Sequence, residues 1–178
     1  MPLDAPGSTA IVVLTREAEP VIGGFYRRHT GAGRDGMTPH VTLIVPFMAA
    51  SEIDASVEGR LASLFGRFEA FDYVLRRFEY FESGVLYLAP EPPAPFINLV
   101  LALTDEFPDY PPYEGVHDDV IPHATVVESD DPELLDEVRS ETEPRLPIAC
   151  RAAEATLVER GPDLRWRPRT AFPFGSLE

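Results

Sequence analysis

The sequence predicts an α+β fold in which two related lobes face each other across a cleft. Hydrophobic residues make up 44% of the chain and charged residues 25%, as in an ordinary globular protein. Segments with the periodicity of strands alternate with segments that have the periodicity of helices. The pattern His-x-Thr begins a predicted strand in each half of the chain. At 178 residues, we expect one bilobal domain over residues 1–178.

Turn formers and capping residues divide the chain into elements. Short β-branched runs bounded by turn formers indicate strands. Ser51 and Asp54 have the spacing of a capping box, and apolar residues follow at helical intervals. Asp131 and Pro132 mark another helix start, because Asp caps free N–H groups and Pro suits the first turn. Strands are expected over 10–14, 40–47, 71–81, 85–88, 123–128, 148–159 and 164–168, and helices over 19–28, 51–67, 94–106 and 131–143.

Net charge and cysteine content exclude several classes of protein. With 30 acidic and 15 basic residues, the formal net charge is −15, which opposes sequence-independent binding of long nucleic acid. The single cysteine, Cys150, lies in an apolar stretch and is expected to be a buried, unreactive thiol. No apolar run approaches the roughly 18 residues of a membrane helix, and the first residues do not resemble a signal peptide. We therefore expect a cytoplasmic monomer that does not associate with membranes.

A duplicated Pro-His-x-Thr pattern carries the candidate chemistry. It occurs at residues 39–42 and 122–125, and contains two of the four histidines of the chain. Residues i and i+2 of a strand point to the same face, so the histidine and threonine of each copy project together. If the two lobes pack with these faces opposed, two imidazoles and two hydroxyls converge on one cavity. The candidate site residues are His40, Thr42, His123 and Thr125.

This set of groups suits cleavage of a phosphodiester by general acid–base catalysis. A neutral imidazole takes a proton from the attacking water or hydroxyl, and a protonated imidazole gives one to the departing oxygen. His40 and His123 are the candidate catalytic residues, with their two roles unassigned. Thr42 and Thr125 are candidate substrate-binding residues that donate to the non-bridging phosphate oxygens. The scheme uses no metal ion and no cofactor.

The two motifs, His40-Val41-Thr42-Leu43 and His123-Ala124-Thr125-Val126, resemble those of the 2H phosphoesterase superfamily. The flanking residues 44–47 and 107–113 resemble its bacterial 2′-5′ RNA ligase-like and RNA 2′,3′-cyclic phosphodiesterase branch. The resemblance implies a bilobal fold with two antiparallel β-sheets, flanked by helices, around a central groove. It also implies metal-independent hydrolysis of a 2′,3′-cyclic phosphate or a 2′-5′-linked nucleotide or RNA end. Hydrolysis is favoured over ligation.

Two other functions remain open at this stage. The same cleft would serve a non-catalytic module that binds a small nucleotide or phosphate ester. His117 and Asp118 form the kind of pair found in metal-dependent phosphohydrolases, although no further helix-borne ligands accompany them. We expect His29 and His117 to be solvent-exposed loop residues.

The surroundings of the motifs contain further candidates. The loop 107–121 leads into the second motif, where Tyr110 or Tyr113 would be available to stack on a base. Arg34 precedes the first motif. Near the C-terminus, three arginines alternate with other residues, and we favour a solvated outer face for them over phosphate binding. These arginines are Arg165, Arg167 and Arg169.

Overall fold

The computed structural model describes residues 5–115 and 120–175, and this part of the chain contains eight strands and five α-helices. The prediction of an α+β protein is confirmed. The strands are β1 (Thr9–Leu14), β2 (His40–Ile44), β3 (Phe71–Phe81), β4 (Val85–Glu91), β5 (Ala124–Glu128), β6 (Ile148–Ala152), β7 (Glu154–Arg160) and β8 (Trp166–Pro173). The helices are α1 (Glu19–His29), α2 (Gly31–Arg34), α3 (Ala55–Phe65), α4 (Ala94–Glu106) and α5 (Pro132–Thr142).

The strands form one sheet, which corrects the expectation of two separate sheets. Their order is β6-β3-β4-β5-β2-β1-β7-β8, and neighbouring strands pair antiparallel. The two strands that carry the motifs, β2 and β5, are the two central strands of this order. Three further strands lie beyond each of them. The sheet thus has two halves that join where β2 meets β5.

The contact between the two halves is short. β2 pairs with β5 at Val41 and Ala124. By comparison, β3 and β4 pair along most of their length. Val41 and Ala124 lie near the first residue of their strands, and the strands run in opposite directions. The two strands therefore overlap where both motifs begin and part beyond that point.

The sheet has one face that packs into the main hydrophobic core and one that carries the motif side chains. Val41, Leu43, Ala124 and Val126 belong to the main core and are at most 1% exposed. The burial of each large aliphatic side chain contributes about 1.5–3 kcal/mol to folding. The alternation expected from the motif spacing is confirmed, because the histidines and threonines between these positions lie outside that core.

The chain crosses from one half of the sheet to the other near its C-terminus. Residues 148–159 were expected to be one strand, but they form β6 and β7, which belong to different halves. β6 pairs with β3, and β7 pairs with β1. The succession strand, helix, strand, helix, strand occurs in each half of the chain, and a duplication behind it remains a prediction.

Capping residues fix where the helices begin. Asp54 caps α3 by accepting from the backbone N–H groups of Ser56 and Val57 at 2.9 and 3.0 Å. The helix therefore begins a turn later than the expected residue 51. Asp131 caps α5 as predicted.

One expectation from composition also has a structural counterpart. Cys150 is buried as expected, and burial raises the pKa of its thiol to about 11, which suppresses the reactive thiolate. Among the described residues, no helix combines the length and apolar character required to cross a bilayer.

The segment before the first motif contains a helical turn, α2, between the helix expected over 19–28 and the strand expected from residue 40. Thr30 caps it by accepting from the N–H of Gly33 at 2.9 Å. A Cβ on Gly33 would overlap the carbonyl oxygen of Tyr26 in α1 and lie 2.7 Å from Thr30 Oγ1. The absence of a side chain at residue 33 thus allows α2 to pack closely on α1.

We expect Gly33→Ala to lower the free energy of unfolding by at least about 1 kcal/mol, because the added methyl group must displace backbone. Gly59→Ala is the matched control, since a Cβ on Gly59 in α3 meets nothing within 4 Å. Its expected effect is a gain of about 0.5–1 kcal/mol from the better helix propensity of alanine. Urea denaturation measures both, and equal effects of the two substitutions would contradict this account of Gly33.

Candidate active site

The four predicted site residues line one groove on the face of the sheet opposite the main core. The groove has a volume of about 380 Å³, and His40, Thr42, His123 and Thr125 all contribute to its surface. Each of these side chains is half-buried. The structure thus brings together all the residues that the duplicated motif singles out. The remaining lining residues are Ala10, Val12, Tyr26, Gly31, Ala32, Asp35, Met37, Val45, Glu128, Val158, Arg160 and Trp166.

Both imidazoles are held in the same way by their own chain. His40 Nδ1 lies 2.8 Å from the carbonyl oxygen of Thr38, and His123 Nδ1 lies 2.8 Å from that of Ile121. A carbonyl oxygen only accepts, so Nδ1 must carry the proton and donate in each case. In the neutral ring, Nε2 is then the atom with a free lone pair. Each histidine therefore has a fixed tautomer whose basic atom is Nε2.

The antiparallel pairing of β2 with β5 gives the two motifs an approximately twofold-symmetric arrangement about Val41 and Ala124. Val41 faces Ala124 across the antiparallel pair. Continuing this register by one residue in each direction sets His40 opposite Thr125 and Thr42 opposite His123. Side chains directly opposite each other in such a pair lie about 4.5–5.5 Å apart at Cβ. Continued in this way, the register would make the hydroxyl of the other motif the cross-strand neighbour of each imidazole.

Aromatic rings support both imidazoles. The ring of Tyr26, on α1, meets that of His40 edge-on with centroids 5.9 Å apart. Phe81 and Tyr87, on β3 and β4, meet the ring of His123 at 5.1 and 5.5 Å. These contacts add packing to the Nδ1 hydrogen bonds and restrict ring rotation. These three residues could not be predicted from the sequence, because their approach to the histidines depends on contacts between distant strands and helices.

Burial keeps both imidazoles neutral. It lowers the pKa of His40 to about 4, with the nearby His123 lowering it further and the hydrogen bond to Thr38 opposing the shift. Burial also lowers the pKa of His123, against the opposing effect of the hydrogen bond to Ile121. Water solvates an imidazolium ion better than the groove does. Transfer of the ring from water into the groove therefore disfavours its charged form. At neutral pH, both side chains are therefore proton acceptors in the free protein.

The wall formed by α2 is fixed by carboxylates. Glu128, at the end of β5, accepts from the N–H of Gly31 at 3.0 Å. Asp35, just after α2, receives a hydrogen bond from Arg160 Nη2 at 2.5 Å. Glu128 is on the β5 half of the sheet and Arg160 on the β7 side, so α2 is attached to both halves. Trp166 N also donates to the carbonyl oxygen of Asp35 at 2.8 Å.

The apolar part of the groove forms a second, smaller cluster of buried residues. Val12 and Val158 extend from β1 and β7, and Met37 packs with them. Trp166 is partly buried against this cluster, and the guanidinium of Arg160 lies 5.8 Å from the centre of its ring. A neutral planar group would be accommodated beside these side chains, because they offer apolar and aromatic surface.

The arginines named by the sequence analysis do not line the groove. Arg167 is paired with Asp163 at 2.5 Å, and Arg169 with Glu58 and Glu159, as expected for an outer face. Arg165 is exposed, and Arg34 Nη1 donates to the carbonyl oxygen of Arg28.

The remaining candidates from the sequence analysis also lie elsewhere. Tyr110 packs on Phe47, with ring centroids 5.6 Å apart. It is partly buried against the main core and does not line the groove. His29 ends α1 and is half-buried, where an exposed loop position was expected. His117 and Asp118 lie outside the described residues, as does the side chain of Tyr113. Across residues 5–115 and 120–175, no three His, Cys, Asp or Glu side chains cluster as metal ligands would.

Stability should decrease with acidity because the groove disfavours the charged form of His40. The pKa of His40 is about 4 in the folded chain, against 6.5 for a free histidine. The unfolded chain binds the proton first as pH falls, so stability present above pH 6.5 is lost as the pH falls towards 4. This histidine should account for about 2 kcal/mol of the loss between pH 7 and pH 5.

The measurement is urea denaturation of the wild type and His40→Asn at both pH values. The variant should lose less stability than the wild type, and His29→Asn, which alters a histidine outside the groove, should follow the wild type. A His40→Asn variant with an unchanged pH dependence would contradict the proposed effect of burial.

Solved structures share this fold. Escherichia coli LigT in complex with 3′-AMP matches with a TM-score of 0.61 and 22% identity, covering 96% of this chain and 99% of that one. A crystal structure described as a phosphoesterase matches with a TM-score of 0.60 and 18% identity, covering 96% and 99%. TT0787 of Thermus thermophilus matches with a TM-score of 0.60 and 17% identity, covering 96% and 100%. At these identities the likeness establishes the fold.

The sequence itself establishes the family. No curated protein matches the chain. The sequence profile of the 2′-5′ RNA ligase superfamily matches residues 14–164, which include both motif strands and the strands and helices between them. The chain therefore belongs to the 2′-5′ RNA ligase superfamily, the 2H phosphoesterases.

Proposed function

We propose that the protein is a metal-independent phosphodiesterase that hydrolyses a 2′,3′-cyclic phosphate or a 2′-5′ linkage on a small nucleotide or RNA end. The observation that carries the proposal is that the imidazole and hydroxyl groups of both motifs line one groove. Membership of the superfamily supports phosphoesterase activity in general. The choice of bond follows from the resemblance carried by the two motifs, and the catalytic roles rest on the groove.

The reaction requires one imidazole as base and the other as acid. The neutral histidine removes a proton from water through Nε2 as the water oxygen bonds to phosphorus. The bond from phosphorus to the 2′ or 3′ oxygen breaks, and the protonated histidine gives its proton to that leaving oxygen. Water is thereby added across one P–O bond, and a phosphate monoester and a free hydroxyl result. His40 and His123 are the two catalytic residues in this proposal.

The threonines have a binding role in the proposal. Thr42 and Thr125 share the groove with the imidazoles, and their hydroxyls donate to the non-bridging oxygens of the phosphate. Such donors stabilise the negative charge that grows on these oxygens in the transition state. The register continued from Val41 and Ala124 supports this role, since in it one hydroxyl lies across from each imidazole.

The acid form must be generated when the substrate binds. Burial lowers the pKa of both histidines, so the free groove holds two neutral rings near pH 7. A bound phosphate anion favours the charged form of a neighbouring imidazole and raises its pKa again. Substrate binding should therefore take up one proton, which then serves the leaving oxygen.

The ligands of a neighbour are compatible with a small substrate. LigT has been crystallised with 3′-AMP, ATP, NADP+ and phosphate. For this chain, we propose a small nucleotide in the groove. Long nucleic acid held along the surface is disfavoured by the net charge of −15.

Removal of either imidazole should abolish most of the activity. We expect His40→Ala and His123→Ala each to lower kcat for a 2′,3′-cyclic nucleotide by about 10²–10⁴-fold, the usual contribution of a general acid or base. His29→Ala, at the end of α1, is the control and should retain wild-type turnover. The assay contains a chelator throughout.

The outcomes separate the alternatives. Wild-type turnover in either motif variant would refute the two-histidine mechanism. Inactivation by the chelator would favour a metal-dependent reaction, and calorimetric binding without product would favour a non-catalytic module.

The pH dependence of kcat/KM should be bell-shaped, with its maximum below pH 6.5. kcat/KM reports the ionisations of the free enzyme, and both histidines have pKa values lowered from 6.5. Activity is lost as pH rises through the higher pKa, because the acid loses its proton, and as pH falls through the lower one, because the base gains one. Initial rates at low substrate concentration give the profile. A maximum above pH 7 would contradict the lowered values.

A further inference from the structure

The charges of the groove limit what a substrate can carry besides the reacting phosphate. Apart from the imidazoles, the charged side chains among its described lining residues are Asp35, Glu128 and Arg160. The two carboxylates outnumber the one guanidinium. With neutral histidines, the described lining therefore has a net negative charge.

The one guanidinium is engaged by the protein. Arg160 is 7% exposed, its Nη2 donates to Asp35 at 2.5 Å, and its Nε donates to the carbonyl oxygen of Leu164 at 2.9 Å. These contacts attach the β7–β8 turn to the wall that follows α2. Moving Arg160 to a second phosphate would break them and leave Asp35 without its ion pair.

The carboxylates lie at both ends of α2, which forms one wall. Glu128 is bonded to Gly31 at the first residue of α2, and Asp35 follows its last residue. Glu128 is exposed, its side chain shows one hydrogen bond in the described structure, and it contributes to the lining of the groove. A second phosphate entering along this wall would meet a carboxylate at either end.

The second, smaller cluster of buried residues forms an apolar part of the groove, in contrast to the charged wall at α2. Val12, Met37, Val158 and the ring of Trp166 contribute to the same groove as the catalytic candidates. A nucleobase is neutral and planar, and aromatic side chains stack on bases with little dependence on sequence. This part of the groove suits the base of a nucleotide, since Val12, Met37 and Val158 offer a further anion neither a charge nor a side-chain hydrogen-bond donor.

We infer that the groove selects substrates whose only phosphate is the one being hydrolysed, with nucleoside 2′,3′-cyclic monophosphates as the substrate class. The inference rests on the proposed phosphodiesterase function and narrows it. An RNA end adds a phosphate with every further nucleotide, and a 5′-phosphate adds one without adding a base. Both are disfavoured by the carboxylates of the α2 wall, and the apolar cluster receives the base.

The test compares three substrates by kcat/KM in the presence of a chelator. They are adenosine 2′,3′-cyclic monophosphate, the same nucleotide with a 5′-phosphate, and a short oligoadenylate that ends in a 2′,3′-cyclic phosphate. We expect the second and third to be poorer than the first by at least about tenfold, since like charges brought together in a binding site are costly. At about 1 M salt the Debye length falls to about 3 Å, and the difference should shrink.

A charge variant separates repulsion from size. Glu128→Gln keeps the shape of the side chain and an oxygen that accepts from Gly31, but removes the charge. It should raise kcat/KM for the 5′-phosphorylated nucleotide relative to the unphosphorylated one by about threefold or more. Glu137→Gln, on the exposed side of α5, is the control, because it changes the net charge equally at a residue that does not line the groove. Its ratio should match that of the wild type.

The results distinguish failure of this inference from failure of the proposed function. Equal kcat/KM for all three substrates would overturn the selectivity and leave the phosphodiesterase intact. A preference that neither salt nor Glu128→Gln alters would also overturn it, because exclusion would then depend on size. If none of the three is hydrolysed, the proposed hydrolysis of a 2′,3′-cyclic phosphate itself fails.

Discussion

The short overlap of β2 and β5 is the constraint on which the rest of the structure depends. Val41 and Ala124 join the two halves of the sheet where both motifs begin. Both residues are fully buried, so this junction is held by the main core. The same alternation that sends them into the core sends the histidines and threonines to the opposite face. The contacts that join the two halves of the sheet therefore also bring the candidate site residues together, and a change at this junction alters both.

The two imidazoles of the groove are oriented by uncharged groups. Each imidazole is oriented by a carbonyl oxygen two residues earlier and by aromatic rings, none of which carries a charge. Such surroundings fix the tautomer while they lower the pKa of the ring. A carboxylate partner would have oriented the ring equally well, but it would have stabilised the imidazolium ion. Because the groups that orient the rings are uncharged, a bound anion still raises the pKa of the imidazole beside it.

The parts of the fold that depend on local pattern could be predicted from the sequence. The strand 71–81 and the helix 94–106 appear at the expected residues, and the duplicated motif correctly indicated which side chains share a face. The single sheet could not be predicted, since the pairing of Val41 with Ala124 joins residues 83 positions apart. The division of residues 148–159 between β6 and β7 likewise depends on pairing partners, because its apolar pattern continues through both strands. For the same reason Tyr26, Asp35 and Arg160 were missed: each reaches the groove through contacts with distant segments.

The near-twofold relation about Val41 and Ala124 has a consequence for the direction of bound esters. Read from either end, the four motif side chains present the same succession of imidazole and hydroxyl groups, so they do not by themselves tell one ester oxygen from the other. The flanking surfaces are unlike: Trp166 and Met37 lie on one side, whereas Phe81 and Tyr87 support the other ring. The orientation of a ligand, and hence the regiochemistry of any cleavage, is then a property of these walls. Two relatives with identical motifs would be free to release opposite isomers.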